Sequence, residues 1–250
     1  MRFIPLVLFC LLISCKKKEV QTVLINDVPK LKSIQLASQG EFKKGSLIFI
    51  EPYLVSKNYG SEEVFYLTLK QYFDFAKEKG KISVDRTLVR LPRHIGTWLI
   101  FSGEDRSLFD EDTMGSYYKK ILNENFASFL WIYMYNKSYA KNEFVETIYQ
   151  MKAWQMAYKY QSIFSRLARE YRVSIIAGSI VLPNPKVIEG NITPTEGPLK
   201  NVNFYFHSDG RVDERISNWS DDLSFIYEGN LFPIFAKQKL GEGKIICFFY

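Results

Sequence analysis

The chain has 250 residues, 47% hydrophobic and 16% aromatic, enough apolar material to close a core of domain size and to exclude a disordered polymer. Thirty-three Lys and Arg against 27 Asp and Glu leave a formal net charge of +6. The two signs are interleaved along the chain, so no basic stripe points to nucleic acid.

The chain begins "MRFIPLVLFCLLISC", with Arg2 ahead of an apolar run, then Ser14 and Cys15, and "KKKE" directly after. A run of about a dozen apolar residues has the length of a signal-peptide core and falls short of the roughly 20 needed to span a bilayer. Leu12-Ile13-Ser14-Cys15 resembles the lipobox of bacterial lipoproteins, which implies cleavage after residue 14, a lipid on Cys15 and a place in the bacterial cell envelope, anchored to a membrane. Lys16, Lys17 and Lys18 would then lie at the headgroups. Of the three cysteines, Cys10 would leave with the signal and Cys15 would carry lipid, so Cys247 is expected to be the free thiol of the mature chain, with no intramolecular disulfide.

Residues 15–44, polar and mixed after the cysteine, read as a lipidated tether, and 45–250 as the folded domain. "SLIFIEPYLV" (46–55) is a strand closed by Pro52. Ser61 is placed to cap a helix whose Phe65, Leu69, Phe73 and Ala76 share a face and which Gly80 ends. "TLVRL" (87–91) predicts a second strand. Residues 116–135 carry an aromatic-rich helical pattern. Residues 142–171 carry a long amphipathic one, with Met156, Tyr160, Ile163 and Leu167 inward and Arg166, Arg169 and Glu170 outward. "VSIIAGSIVL" (173–182) predicts a buried strand, "NVNFYFHSDGRVDE" an alternating strand with a Ser-Asp-Gly turn and a return, and "GKIICFFY" a last strand. Strands and helices in this order make the domain α/β.

Four segments in this order resemble the nitrilase, or carbon–nitrogen hydrolase, superfamily. They are "LPRHIGTWLI" for its Phe-Pro-Glu-Tyr segment, "FSRLAREYRVSIIAGSIVLPNP" for a helix, strand and Gly-Ser, "FYFHSDGRVDE" for a hairpin, and "LFPIFAKQKLGEGKIICF" for the strand that delivers a cysteine. The resemblance implies an αββα sandwich over roughly 45–250 and hydrolysis of a small amide or nitrile without cofactor or metal. A Cys nucleophile, a Glu general base and a Lys donating to the oxyanion would carry the reaction.

Carried onto this chain, the nucleophile position falls on Cys247, the general-base position on Arg93 and the Lys position near Arg215. Arg93 cannot accept a proton near neutral pH, because a guanidinium titrates above about 12. His94 titrates in the right range, but on an extended chain it would point away from where Arg93 points. Glu51 reads as an end-of-strand carboxylate and a partner for Arg93. Members of the superfamily continue past the cysteine into the second half of the sandwich, whereas here three residues follow Cys247, so an incomplete sandwich with an uncovered sheet face is expected. Three functions stay open: a lipid-anchored hydrolase of impaired activity, a non-catalytic envelope protein that binds a ligand or partner, and a frameshifted remnant.

Overall fold

The computed structural model describes residues 23–40, 44–110, 114–139, 142–220, 223, 226 and 241–249. The strands are β1 (Ser33–Gln39), β2 (Ser46–Glu51), β3 (Thr87–Arg90), β4 (Ser174–Pro183), β5 (Lys186–Ile188), β6 (Asn191–Thr193), β7 (Leu199–Phe206), β8 (Ser217–Ser220) and β9 (Glu242–Phe249). The helices are α1 (Glu62–Glu78), α2 (Met114–Glu124), α3 (Phe126–Tyr135) and α4 (Glu143–Tyr171). Among the described residues seven strands form one mixed sheet in the order β1-β9-β2-β3-β4-β7-β8, and β5 and β6 make a small hairpin beside it. The class is mixed α/β.

Local chemistry explains the helices. Ser61 Oγ accepts from the Val64 N–H, closing one orphan donor at the start of α1, a contact of roughly 1 kcal/mol. Phe65, Leu69, Phe73 and Ala76 are buried, each of the larger three contributing about 1.5–3 kcal/mol by leaving water. Asn142 caps α4 through Val145 N–H. Its inward stripe, Met156, Tyr160, Ile163 and Leu167, is buried, while Arg166, Arg169 and Glu170 face water.

Two elements differ from expectation. Residues 33–39, read as tether, form β1, an edge strand that pairs in parallel with β9. The single helix expected over 116–135 is two helices that part at Asn125, whose side-chain amide donates to the Ile121 carbonyl and whose backbone leaves the helical region.

Strands β2, β3 and β4 run parallel, and β9 and β7 flank them antiparallel. Register sets Cys247, Ile48, Val89, Ile175 and Phe206 in one row across the sheet, all buried toward the helices. Helix α1 lies on this face, with the Tyr72 ring where a Cβ on Gly243 would stand. Helix α4 packs beside it through Tyr160 and Phe164 against Phe204 and Phe206. The neighbouring row, Ile246, Phe49, Arg90, Ile176 and Tyr205, points to the other face and is only half-buried.

Candidate functional site

The carboxyl ends of parallel strands are where an open α/β sheet collects its chemistry, because the loops that leave there diverge and open a crevice. Here β2 ends on Glu51, and β3 ends on Arg90 before Leu91 and Pro92. Glu51, Arg90, Pro92 and Arg93, with Phe49 and Leu91, line a cleft of about 320 Å³. The Arg90 guanidinium lies 5.7 Å from the Phe49 ring centroid, within cation–π range. Lys244 faces Glu51 across the β2–β9 ladder, so the rim carries three cations and one carboxylate.

The turn after Pro92 is pinned from behind by β4. Leu91 N–H donates to the Ile176 carbonyl, His94 N–H to Ser179 Oγ at 2.7 Å, and Gly96 N–H to the Ser179 carbonyl at 2.9 Å. Gly178 makes this approach possible: its φ is +71°, and a Cβ there would stand 2.1 Å from the Pro92 carbonyl oxygen. The β4–β7 ladder slips at the same place, between Ile176 and Ser179. The Gly-Ser pair therefore has a mechanical role, a close-approach point followed by a peg. His94 takes the left-handed conformation at φ +59°, rare for a residue with a side chain and a mark of a position that the surroundings over-determine. The alternation expected of Arg93 and His94 does not apply, because residues 93–96 form a turn and not an extended run.

Behind the turn lies a polar pair that sequence reasoning missed. Asn201 and Asn203 on β7 are 1% and 7% exposed, and the Oδ1 atom of each is buried with no hydrogen-bond partner among the described residues. Asn201 Nδ2 stands 3.5 Å from His94 Nε2, and Asn203 is opposite Ser179 in the ladder. An unsatisfied buried acceptor costs about 1–3 kcal/mol, so each of these two oxygens calls for a donor, whether a water or a ligand N–H. The signal was present in "NVNFYF": two asparagines at period two inside an otherwise apolar strand.

The positions assigned by resemblance are not brought together. Cys247 is wholly buried in mid-strand on the helix side, opposite Ile48, and burial pushes its thiol above the ordinary value while Lys81 opposes weakly. From there to the turn of Arg93 is two strand spacings across and four residues along, roughly 15 Å. Arg215 is exposed and follows β7, whose Phe206 is four strand spacings, about 19 Å, from Cys247. Its guanidinium makes two bonds to Asp213, at 2.9 and 3.0 Å, which hold that carboxyl well below the usual range. Arg93 and Glu51, by contrast, do line one cleft. Cys15 and residues 1–14, and "LFPIFAKQKL" (231–240) in the last matched segment, lie outside the described residues.

No protein-family model, no curated protein and no solved structure matches this chain.

Proposed function

We propose that this is a lipid-anchored protein of the bacterial cell envelope, of carbon–nitrogen hydrolase type, that binds a small amide-bearing carboxylate without hydrolysing it. The burial of Cys247 carries this reading. A nucleophile needs a reachable, ionisable sulfur, and Cys247 is wholly enclosed, on the helix side of the sheet, with its thiol held in the neutral form. In an αββα sandwich the half-buried face that bears Phe49, Arg90 and Tyr205 would be the inner one, which fits the type without a working triad.

The ligand class follows from the donors and acceptors. Arg90 and Arg93 match a carboxylate, which a guanidinium can hold with paired hydrogen bonds. In this reading the cleft opens inward to the Oδ1 atoms of Asn201 and Asn203, which are enclosed in this structure and have no donor among the described residues, and a primary amide, with two N–H groups, would fill them. Titration calorimetry with glutaramate, which carries both groups, tests the reading. Binding that weakens at least tenfold in Arg93→Ala and in Asn203→Ala, with no ammonia released, supports it. Ammonia release lost in Cys247→Ala would restore the hydrolase, and no heat from glutaramate or from its nitrile analogue would remove the binding site.

A further inference from the structure

Helix α3, "FASFLWIYMY", is apolar around its whole circumference, yet only Phe129 of its ten residues is buried. A helix apolar on every side is ordinarily taken out of water, into a protein core or into a membrane. Trp131, Met134 and Tyr135 stand in water, and Trp154 and Tyr158 of α4 extend the same surface, at 64% and 70% exposed. The surface is continuous: the Trp131 and Tyr135 rings touch, tilted, with centroids 4.3 Å apart, and Tyr135 and Trp154 line one hollow with Pro183. Five side chains of roughly 200 Å² each, about two-thirds exposed, leave on the order of 600 Å² in water, the upper end of what monomers tolerate.

We infer that this aromatic face of α3 and α4 rests on the surface of a lipid bilayer and is a second, non-covalent membrane contact. Three observations choose the bilayer over a protein partner. The first is composition: Trp and Tyr, with the exposed Lys137 just beyond α3, are the residues that settle at headgroup level. The second is length, because ten helical residues rise about 15 Å, half a hydrocarbon core, so α3 can lie in the interface but cannot cross it.

The third is where the chain enters. Residues 15 to 23 span at most about 28 Å when extended, which bounds the distance from a lipid on Cys15 to Val23. Val23 is buried against Gly60, Gly60 accepts from Gly103 N–H at 2.9 Å, and Glu104 next to it is ion-paired to Lys152 and bonded to Asn125 at the start of α3. Val23, the first described residue, is thus linked by these contacts to the start of α3, and Leu24 and Ile25 after it are exposed. This choice of occupant rests on the lipid anchor proposed above.

The test uses the full chain with Cys15→Ser, which cannot be lipidated, and vesicles of phosphatidylcholine and phosphatidylglycerol at 3:1. The expected result is co-sedimentation that falls at least tenfold when Trp131→Ser and Trp154→Ser are added, with the far-UV spectrum unchanged. Equal sedimentation of both chains would assign binding to the apolar N-terminal run and overturn the inference. A Cys15→Ser chain that is dimeric by sedimentation equilibrium, and monomeric once both tryptophans are replaced, would give the face to a second copy and overturn it too. Palmitate labelling of the wild-type chain, compared with Cys15→Ser, reads the anchor separately.

Discussion

Replacing Gly178 by alanine tests whether the turn that carries Arg93 and His94 is held by close approach to β4. Two costs arise at that position. The first is conformational: φ is +71°, and a left-handed residue with a Cβ costs about 1–2 kcal/mol. The second is steric, because the new Cβ would stand 2.1 Å from the Pro92 carbonyl oxygen and 2.7 Å from Ile95 Cγ2. The oxygen belongs to backbone that is itself hydrogen-bonded to β4, so relief requires the turn to move, at about 1–3 kcal/mol for overpacking. Together they come to about 2–5 kcal/mol, a large share of the 5–15 kcal/mol that holds a domain. Gly80→Ala supplies the control: φ there is +66° and nothing lies within 4 Å of the added carbon, so it reads the conformational cost alone. Urea unfolding of the three chains, with tryptophan emission as the probe, should lower the midpoint for Gly178→Ala clearly more than for Gly80→Ala. Equal losses would refute the close-approach argument, and with it the account of how the turn is positioned.

Cys247 should react with a thiol reagent only through unfolding, at least ~10³-fold slower in native buffer than in denaturant, since sulfur and solvent meet only when the sheet opens; rapid native labelling would reopen it as a nucleophile. Glu104→Gln leaves the Lys152 ammonium buried without its counter-charge and should destabilise by about 3–5 kcal/mol, whereas Glu104→Leu with Lys152→Met should recover most of that loss in the same denaturant titration. Burial pushes the Lys159 amine down to about 8, so the native chain binds fewer protons than the unfolded one between pH 8 and the ordinary lysine value near 10.5. Stability should therefore rise with pH across that window and lose this rise in Lys159→Met; a flat difference between the two chains would contradict the burial.

How much of this was legible depended on whether a signal was local. Ser61, the four inward residues of α1 and the stripe of α4 were readable because a cap and a 3.6 period are written within one helix. Strand β1 was not, because "SIQLASQ" is wet along nearly its whole length and is a strand only through pairing with β9, some 200 residues away. The break at Asn125 was hidden by aromatic residues on every side, which leave no phase to lose. The His94 turn failed for a related reason: an extended run was the default, and the peg that ends it, Ser179, lies 85 residues further on. Gly178 and Ser179 stand side by side in the sequence, but only the ladder gives them their work.

Strand direction decides what the site contains. Because β2, β3 and β4 run parallel, their carboxyl ends deliver Glu51, Arg90 and the pinned turn of Arg93 and His94 to one end of the sheet. Strand β9 runs against β2, so its amino end is the one delivered there, and the residue that arrives beside Glu51 is Lys244. Cys247, three residues later, is carried back toward Ser46 and Thr87 at the opposite end, and the pleat turns it inward to the helices. A one-residue slip of β9 would bring Cys247 to the open face but would bury the ammonium of Lys244 and expose Ile245, an exchange the hydrophobic core opposes. The register that keeps the core dry is thus the same one that withholds the thiol from the cleft, and it leaves Arg90 and Arg93 there beside the Glu51 carboxylate.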